Sequence, residues 1–157
     1  MLDNFKIYVI NLKRETKRRE NIIEELKKQK ILNFEIIDAI DGEKIKKSEL
    51  DLLISKNNKF INPINTNMNA AEICCSLSHV KVYKKFIETN IKYALIFEDD
   101  AVFLNNFSEE LKKFIIKNFK FKKQIILLSE LWQFYKKPID EENEYQIVNV
   151  RNAVLTH

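Results

Sequence analysis

Residues 93–103 read YALIFEDDAVF, an apolar run ending in three consecutive carboxylates, Glu98, Asp99 and Asp100, before the chain turns apolar again. Tyr, Leu, Ile and Phe in close succession predict a buried strand. Three adjacent carboxylates cannot follow that strand into a core, because an unpaired buried charge costs several kcal/mol. The acids therefore belong where the strand emerges. In an open α/β sheet the carboxyl ends of strands are where ligands bind. Hard oxygen ligands there suit Mg²⁺ or Mn²⁺, and such an ion commonly accompanies a phosphate. The competing reading is an acidic turn that holds no metal.

A single glycine, Gly42, narrows the ways a phosphate can be held. A Walker loop and a Rossmann fingerprint both need several glycines, so that backbone N–H groups can approach the phosphate oxygens. A metal on the acidic cluster, helped by arginines, is the substitute this sequence offers. The chain has 157 residues, 45% hydrophobic and 11% aromatic, which favours one folded domain with a core over disorder. Its net charge of +4 comes from scattered lysines and suits an anionic cofactor or an anionic membrane face. Basic residues do not form a stripe with interleaved aromatics, so nucleic acid is not expected as a partner. No apolar run approaches the ~18 residues of a membrane span. The N-terminus enters a strand pattern without a signal-peptide layout. Cys74 and Cys75 are neighbours and make no disulfide framework. These features point to a cytoplasmic setting.

Along the chain, residues 5–12 predict a first strand and residues 15–30 a helix with Ile22, Ile23 and Leu26 on one face. A second strand follows at 34–37, closed by an Asp41-Gly42 turn, and a short helix at 46–56. Residues 57–69 lack a period and read as a long loop. Asn69 with Glu72 three residues on marks a helix start of capping-box type. That helix is expected to run to about Thr89 and bury Ile73, Leu77, Val80, Tyr83 and Ile87. After the acidic strand come a helix at 108–119, facing Leu111, Phe114 and Ile115 inward, and strands at 124–128 and 145–150. Residues 130–144, with Trp132, read as irregular. The order β-α-β-α-α-β-α-β-β is that of a layered α/β domain. Residues 153–157 begin an apolar stretch that stops, and we expect a truncated domain with an uncovered sheet edge open to self-association. A short edge strand at a true end is the alternative.

Three segments together resemble glycosyltransferase family 25, the lipooligosaccharide-type sugar transferases. They are IYVINLKRETKRRENI at 7–22, AAEICCSLSHVKVYKKFIE at 70–88 and YALIFEDDAVF itself. Residues 37–42 also resemble the family's short acidic turn ending in glycine, while Ala70, Ala71 and Glu72 stand where the family tends to carry glycine. The resemblance spans nearly all of residues 1–157 and implies one domain with a GT-A-like, Rossmann-like nucleotide-diphospho-sugar transferase fold, incomplete at its C-terminus. It further implies a UDP-hexose donor, a hexose of galactose type, a lipooligosaccharide or lipopolysaccharide glycolipid acceptor, and a location at the inner face of the cytoplasmic membrane.

Within that resemblance Asn11, Arg14 and Arg18 leave the first strand toward the nucleotide. A guanidinium gives phosphate a planar, bidentate contact, and a solvated helical turn is the competing reading. Asp100 stands as the metal ligand, with Glu98 at the ribose or in the metal shell, and Asp99 turned away to pair locally. The base that the implied inverting displacement needs is open: Asp38, Asp41 and His79 are candidates, and it could lie beyond residue 157. Ser78 and His79 interrupt an apolar helix face, where a structural role competes with a substrate-side one. Cys74 and Cys75 read as small packing residues and Trp132 as a core anchor or acceptor platform. The other function classes are a non-catalytic remnant that keeps nucleotide binding or a partner surface, and a metal-dependent phosphohydrolase.

Overall fold

The computed structural model describes residues 5–56, 68–118, 140–142 and 145–147. They form strands β1 (Phe5–Asn11), β2 (Glu35–Asp38) and β3 (Tyr93–Glu98). The helices are α1 (Thr16–Lys28), α2 (Lys47–Lys56), α3 (Ala70–Ile87) and α4 (Phe107–Asn118). Two short strands follow, β4 (Asp140–Glu142) and β5 (Tyr145–Ile147). Contacts divide the chain into two compact units, Met1–Phe119 and Lys120–His157. In the second unit β4 and β5 pair antiparallel, Glu141 opposite Gln146. The strand expected at 124–128, Trp132 and the apolar stop at 153–157 lie outside the described residues, as does most of the loop at 57–69.

In the first unit β1 is buried from Ile7 to Asn11 on both faces, which a strand achieves only at the centre of a covered parallel sheet. The sheet order is β2-β1-β3, all parallel, with Ile10 opposite both Ile37 and Glu98. Alternation divides the β1 side chains between two cores. Ile7 and Val9 pack with Leu95 and Phe97, with Ile22 and Leu26 of α1, and with Leu111 and Ile115 of α4. Tyr8 and Ile10 pack with Ile37 and with Val82 of α3. The chain thus goes from β1 to β2 on one side, then returns past β1 to β3 on the other. The carboxyl ends of β1 and β3 flank the point where winding reverses, the crevice that doubly wound sheets use for ligands.

Two helix ends are fixed by their own backbone and cap geometry. α1 stops in a Schellman arrangement: Ile31 N–H reaches Leu26 O and Lys30 N–H reaches Lys27 O, with Lys30 at a φ of 59°. α3 starts with a full capping box, Asn69 Oδ1 accepting from Glu72 N–H at 3.0 Å and Glu72 Oε2 accepting from Asn69 N–H at 2.7 Å. The buried face of α3 differs from the expected one. Cys74, Ser78 and Val82 join Leu77 and Val80 inside, whereas Ile87 is 74% exposed. Val82 packs on Tyr8 and Ile10 and Ser78 Oγ meets Ile40 N–H, a face of the helix that leaves Ile87 outward.

Glu35 of β2 is held by Lys85 and Lys6. The Lys85 hydrogen bond is the main cause that lowers its carboxyl below the usual range, with Lys6 adding to it. A depressed folded value stabilises the fold above the unfolded glutamate pKa of about 4.3, and that contribution disappears as pH falls through the folded value. Glu35→Gln is expected to flatten this part of the acid limb, read as thermal midpoint against pH. An unchanged acid limb would count against the pairing.

Candidate functional site

Asn11 ends β1 and is 1% exposed. Its Nδ2 donates to Glu15 O at 3.2 Å, fixing the turn into α1, and to Asp99 Oδ2 at 2.7 Å across the crevice. Asn11 Oδ1 is buried without a hydrogen-bond partner. Arg18, from the first turn of α1, places Nη2 2.9 Å from Asp99 Oδ1 and 2.5 Å from Asp100 Oδ2. Asp99 is 8% exposed, so burial pushes its carboxyl pKa up, opposed by Asn11, Arg18 and a backbone hydrogen bond from Leu12. It pairs across the sheet, on the side of β1 and α1, and not locally as the sequence led us to expect.

Arg14 forms the second wall. Its Nε lies 3.1 Å from Asp41 Oδ2, and its Nη1 donates to Glu43 Oε2 at 2.5 Å. Asp41 also shapes its own turn, Oδ1 accepting from Glu43 N–H at 3.1 Å. Gly42 in this turn lies against the start of α3: a Cβ there would meet Ala71 Cα at 2.5 Å, Ala71 N at 2.8 Å and Ala70 O at 2.9 Å. Only a residue without a side chain allows that approach.

The third wall is α3. Ser78 Oγ accepts from Ile40 N–H at 2.9 Å and donates to Cys74 O at 2.7 Å, tying the chain after β2 to the helix. His79 Nε2 lies 3.2 Å from Glu98 Oε1. Burial raises the Cys75 thiol to about 11, with Glu98 and Asp100 adding to the shift. Between the walls is a cleft of about 130 Å³, bordered by Arg14, Asp41, Glu43, Cys75, Glu98 and Asp99 among others.

Most of the residues singled out by sequence therefore gather at one end of the sheet. Asn11 and Arg18 meet at Asp99 on the α1 side, where Arg18 also reaches Asp100, Arg14 and Asp41 meet at the β2 turn, and His79 and Glu98 on the α3 side. Asp38 ends β2 with an exposed side chain, and its backbone O accepts from Lys81 Nζ at 2.8 Å. Carboxylate oxygens of Glu98 and Asp100 are the donor type that Mg²⁺ or Mn²⁺ takes, and both follow the same strand. Each has a partner already, so a cation bound by both has to displace Arg18 from Asp100 and loosen His79 from Glu98. Cys75, a packing residue by sequence alone, lines the cleft. Its spacing of four from His79 was the available signal, because residues i and i+4 share a helix face.

A parallel sheet with helices on both faces, and a charged crevice at its winding reversal, defines a Rossmann-like α/β domain of the GT-A kind. The sequence pattern of glycosyltransferase family 25 (LPS biosynthesis protein) matches residues 4–154, and the chain belongs to that family. It is 34% identical over 110 residues to procollagen galactosyltransferase 2 of Homo sapiens, covering 69% of this chain and 17% of that protein. A putative glycosyltransferase of Haemophilus influenzae is 36% identical over 107 residues, covering 67% of this chain and 36% of that protein. The inactive glycosyltransferase 25 family member 3 of Mus musculus is 27% identical over 159 residues, covering 96% of this chain and 25% of that protein. The chain thus spans 17% to 36% of the length of these relatives.

Proposed function

We propose that this chain is the nucleotide-sugar-binding part of a metal-dependent hexosyltransferase that moves a galactose-type sugar from a UDP-hexose to a lipopolysaccharide or lipooligosaccharide acceptor. The observation that carries the reading is the Asn11–Asp99–Arg18–Asp100 constellation at the winding reversal, with Arg14 on the facing wall. Both guanidinium groups rest on carboxylates, and a diphosphate can take those carboxylates' place as a bidentate acceptor. Asn11 and Asp99 hold Arg18 at the crevice. Glu98 and Asp100 would hold Mn²⁺ or Mg²⁺, which supplies Lewis-acid stabilisation of the leaving diphosphate. For the base at the acceptor hydroxyl, Asp41 borders the cleft and His79 touches its wall, which favours them over Asp38. The family description names LPS biosynthesis and one relative's name a galactosyltransferase, which supports the acceptor and the sugar. Free thiols at Cys74 and Cys75 accord with the cytoplasm. Among the described residues no helix is long and apolar enough to cross a membrane. Exposed Val102 and Leu104, just after Asp100, suit peripheral contact with the inner membrane face.

Calorimetry of uridine diphosphate binding tests this. Mn²⁺ is expected to tighten binding, and Asp100→Asn to abolish that gain with the thermal midpoint unchanged, since it removes an anionic ligand at constant volume. Equal affinity with and without metal would refute the metal role. A second reading, nucleotide binding without turnover, is favoured by the match to a relative named inactive over 96% of this chain. Donor hydrolysis in Mn²⁺ over a set of nucleotide-sugars separates the two.

A further inference from the structure

We propose that Cys75, His79 and Glu98 form a binding site for a soft divalent cation of the zinc class, which shares Glu98 with the hard-cation pair Glu98 and Asp100 but differs from it in chemistry. Their Sγ, imidazole nitrogen and carboxylate oxygen all lie within 4.8 Å of one another. Two rigid elements set that geometry. Cys75 and His79 stand one helical turn apart on α3, and Glu98 is the last residue of β3. Among the described residues this is the group of three metal-ligating side chains that converges, and Asp100 is not in it.

The spacings suit tetrahedral zinc. With metal bonds of about 2.0 Å to nitrogen and oxygen and about 2.3 Å to sulfur, the N–O separation is about 3.3 Å and the N–S separation about 3.6 Å. His79 Nε2 and Glu98 Oε1 are already 3.2 Å apart, and with all three side chains' ligand atoms within 4.8 Å of one another, side-chain adjustment can complete the set. The Tyr83 ring, its centroid 6.1 Å from that of His79, limits how far the imidazole can swing. Cys75 and Glu98 both border the cleft, which leaves a fourth position open toward it. Three protein ligands and one open position is the pattern of an accessible zinc site and not of a closed structural one. A thiolate and an imidazole prefer zinc, cobalt or copper(I) to Mg²⁺ or Mn²⁺. On binding, the Cys75 thiol gives its proton to solvent, and His79 offers its Nε2 lone pair with the ring proton on Nδ1. If the transferase reading above holds, zinc here also draws Glu98 away from the hard cation, so Zn²⁺ inhibits.

The probe is the metal alone, added to the reduced, metal-free chain. Co²⁺ is expected to give tetrahedral ligand-field bands with a thiolate-to-cobalt charge-transfer band, and Zn²⁺ to bleach both. The sequence has two cysteines, so the band belongs to Cys75 or to Cys74. Cys75→Ser and His79→Ala should each weaken Zn²⁺ binding by more than about a hundredfold, beyond what loss of a merely supporting group costs. Cys74→Ala should leave the band intact, and circular dichroism shows that each variant is folded. An octahedral cobalt spectrum without the thiolate band, or Zn²⁺ affinity unchanged in folded Cys75→Ser, overturns the site. Neither readout uses nucleotide or turnover, so the transferase reading stands or falls separately.

Discussion

Replacing Gly42 with alanine is expected to destabilise the domain by about 1–3 kcal/mol, the usual cost of forcing extra volume into a packed site. The sign is not the ordinary one. Where the backbone conformation is one that alanine adopts freely, Gly→Ala stabilises by about 0.4–1 kcal/mol through the unfolded chain. Gly42 has no left-handed φ, so conformation alone would predict a gain. The added methyl, however, would stand 2.5 Å from Ala71 Cα and 2.9 Å from Ala70 O, and backbone of a capped helix start cannot rotate away as a side chain does. Either α3 or the 41–43 turn must move. Because Asp41 and Glu43 hold Arg14, the same shift loosens one wall of the cleft. Urea denaturation with uridine diphosphate titration on the same sample checks both parts. A stabilised variant would mean that α3 slides freely over the turn.

Asp99 offers a contrast between two substitutions. Asp99→Ala should cost about 3 kcal/mol, because it strips partners from buried Asn11 Nδ2 and from Leu12 N–H and leaves Arg18 with Asp100 alone. Asp99→Asn should cost less, since its carboxamide oxygen can still accept from Asn11 Nδ2 and its charge no longer has to be desolvated, although its NH2 then stands against Arg18 Nη2. Asp99 has a folded pKa raised by burial, so the folded chain holds this proton more tightly than the unfolded one. Stability from this group therefore falls as pH rises from about 3.9 through the raised folded value, and Asp99→Asn should remove that decline. Its sign is opposite to that of Glu35. Stability of the two variants measured across the acid range decides it, and equal losses in Ala and Asn would show that Asp99 is not a hydrogen-bond anchor.

What could be read from the sequence follows from the range of the interactions. β1, α1, the Asn69–Glu72 cap and the acids at the end of β3 are written in short windows, by alternation, helical period and cap spacing. The partner of Asp99 was not, because Asn11 lies 88 residues away and nothing local signals it. The direction of each acid was also hidden. Once β3 ends at Glu98, the alternation of side chains ends with it, and Asp99 and Asp100 point as the turn dictates. At α3, hydrophobicity points to Ile87 as the buried residue, whereas the helix buries the small Cys74 and Ser78, Ser78 being tied to Ile40 N–H by a contact that no local window signals. Convergence of Asn11, Arg18 and Asp100 was legible once the strand order was assumed. That of Cys75 with Glu98 required knowing that α3 crosses the end of β3.

The central position of β1 also sets the order of assembly. Its pairing with β2 joins Tyr8 to Glu35 through one intervening helix, while its pairing with β3 joins Phe5 to Tyr93. Loop-closure entropy makes the first contact early and the second late, since non-local pairings reward the chain only after a long closure. On a growing chain, the β1–α1–β2 unit is complete while the acids of β3 have not yet been translated. The charged crevice is thus a product of the final docking step. Substitutions at Val9 or Ile36 should slow refolding, whereas Asp99→Ala should chiefly speed unfolding, a division that stopped-flow chevrons resolve.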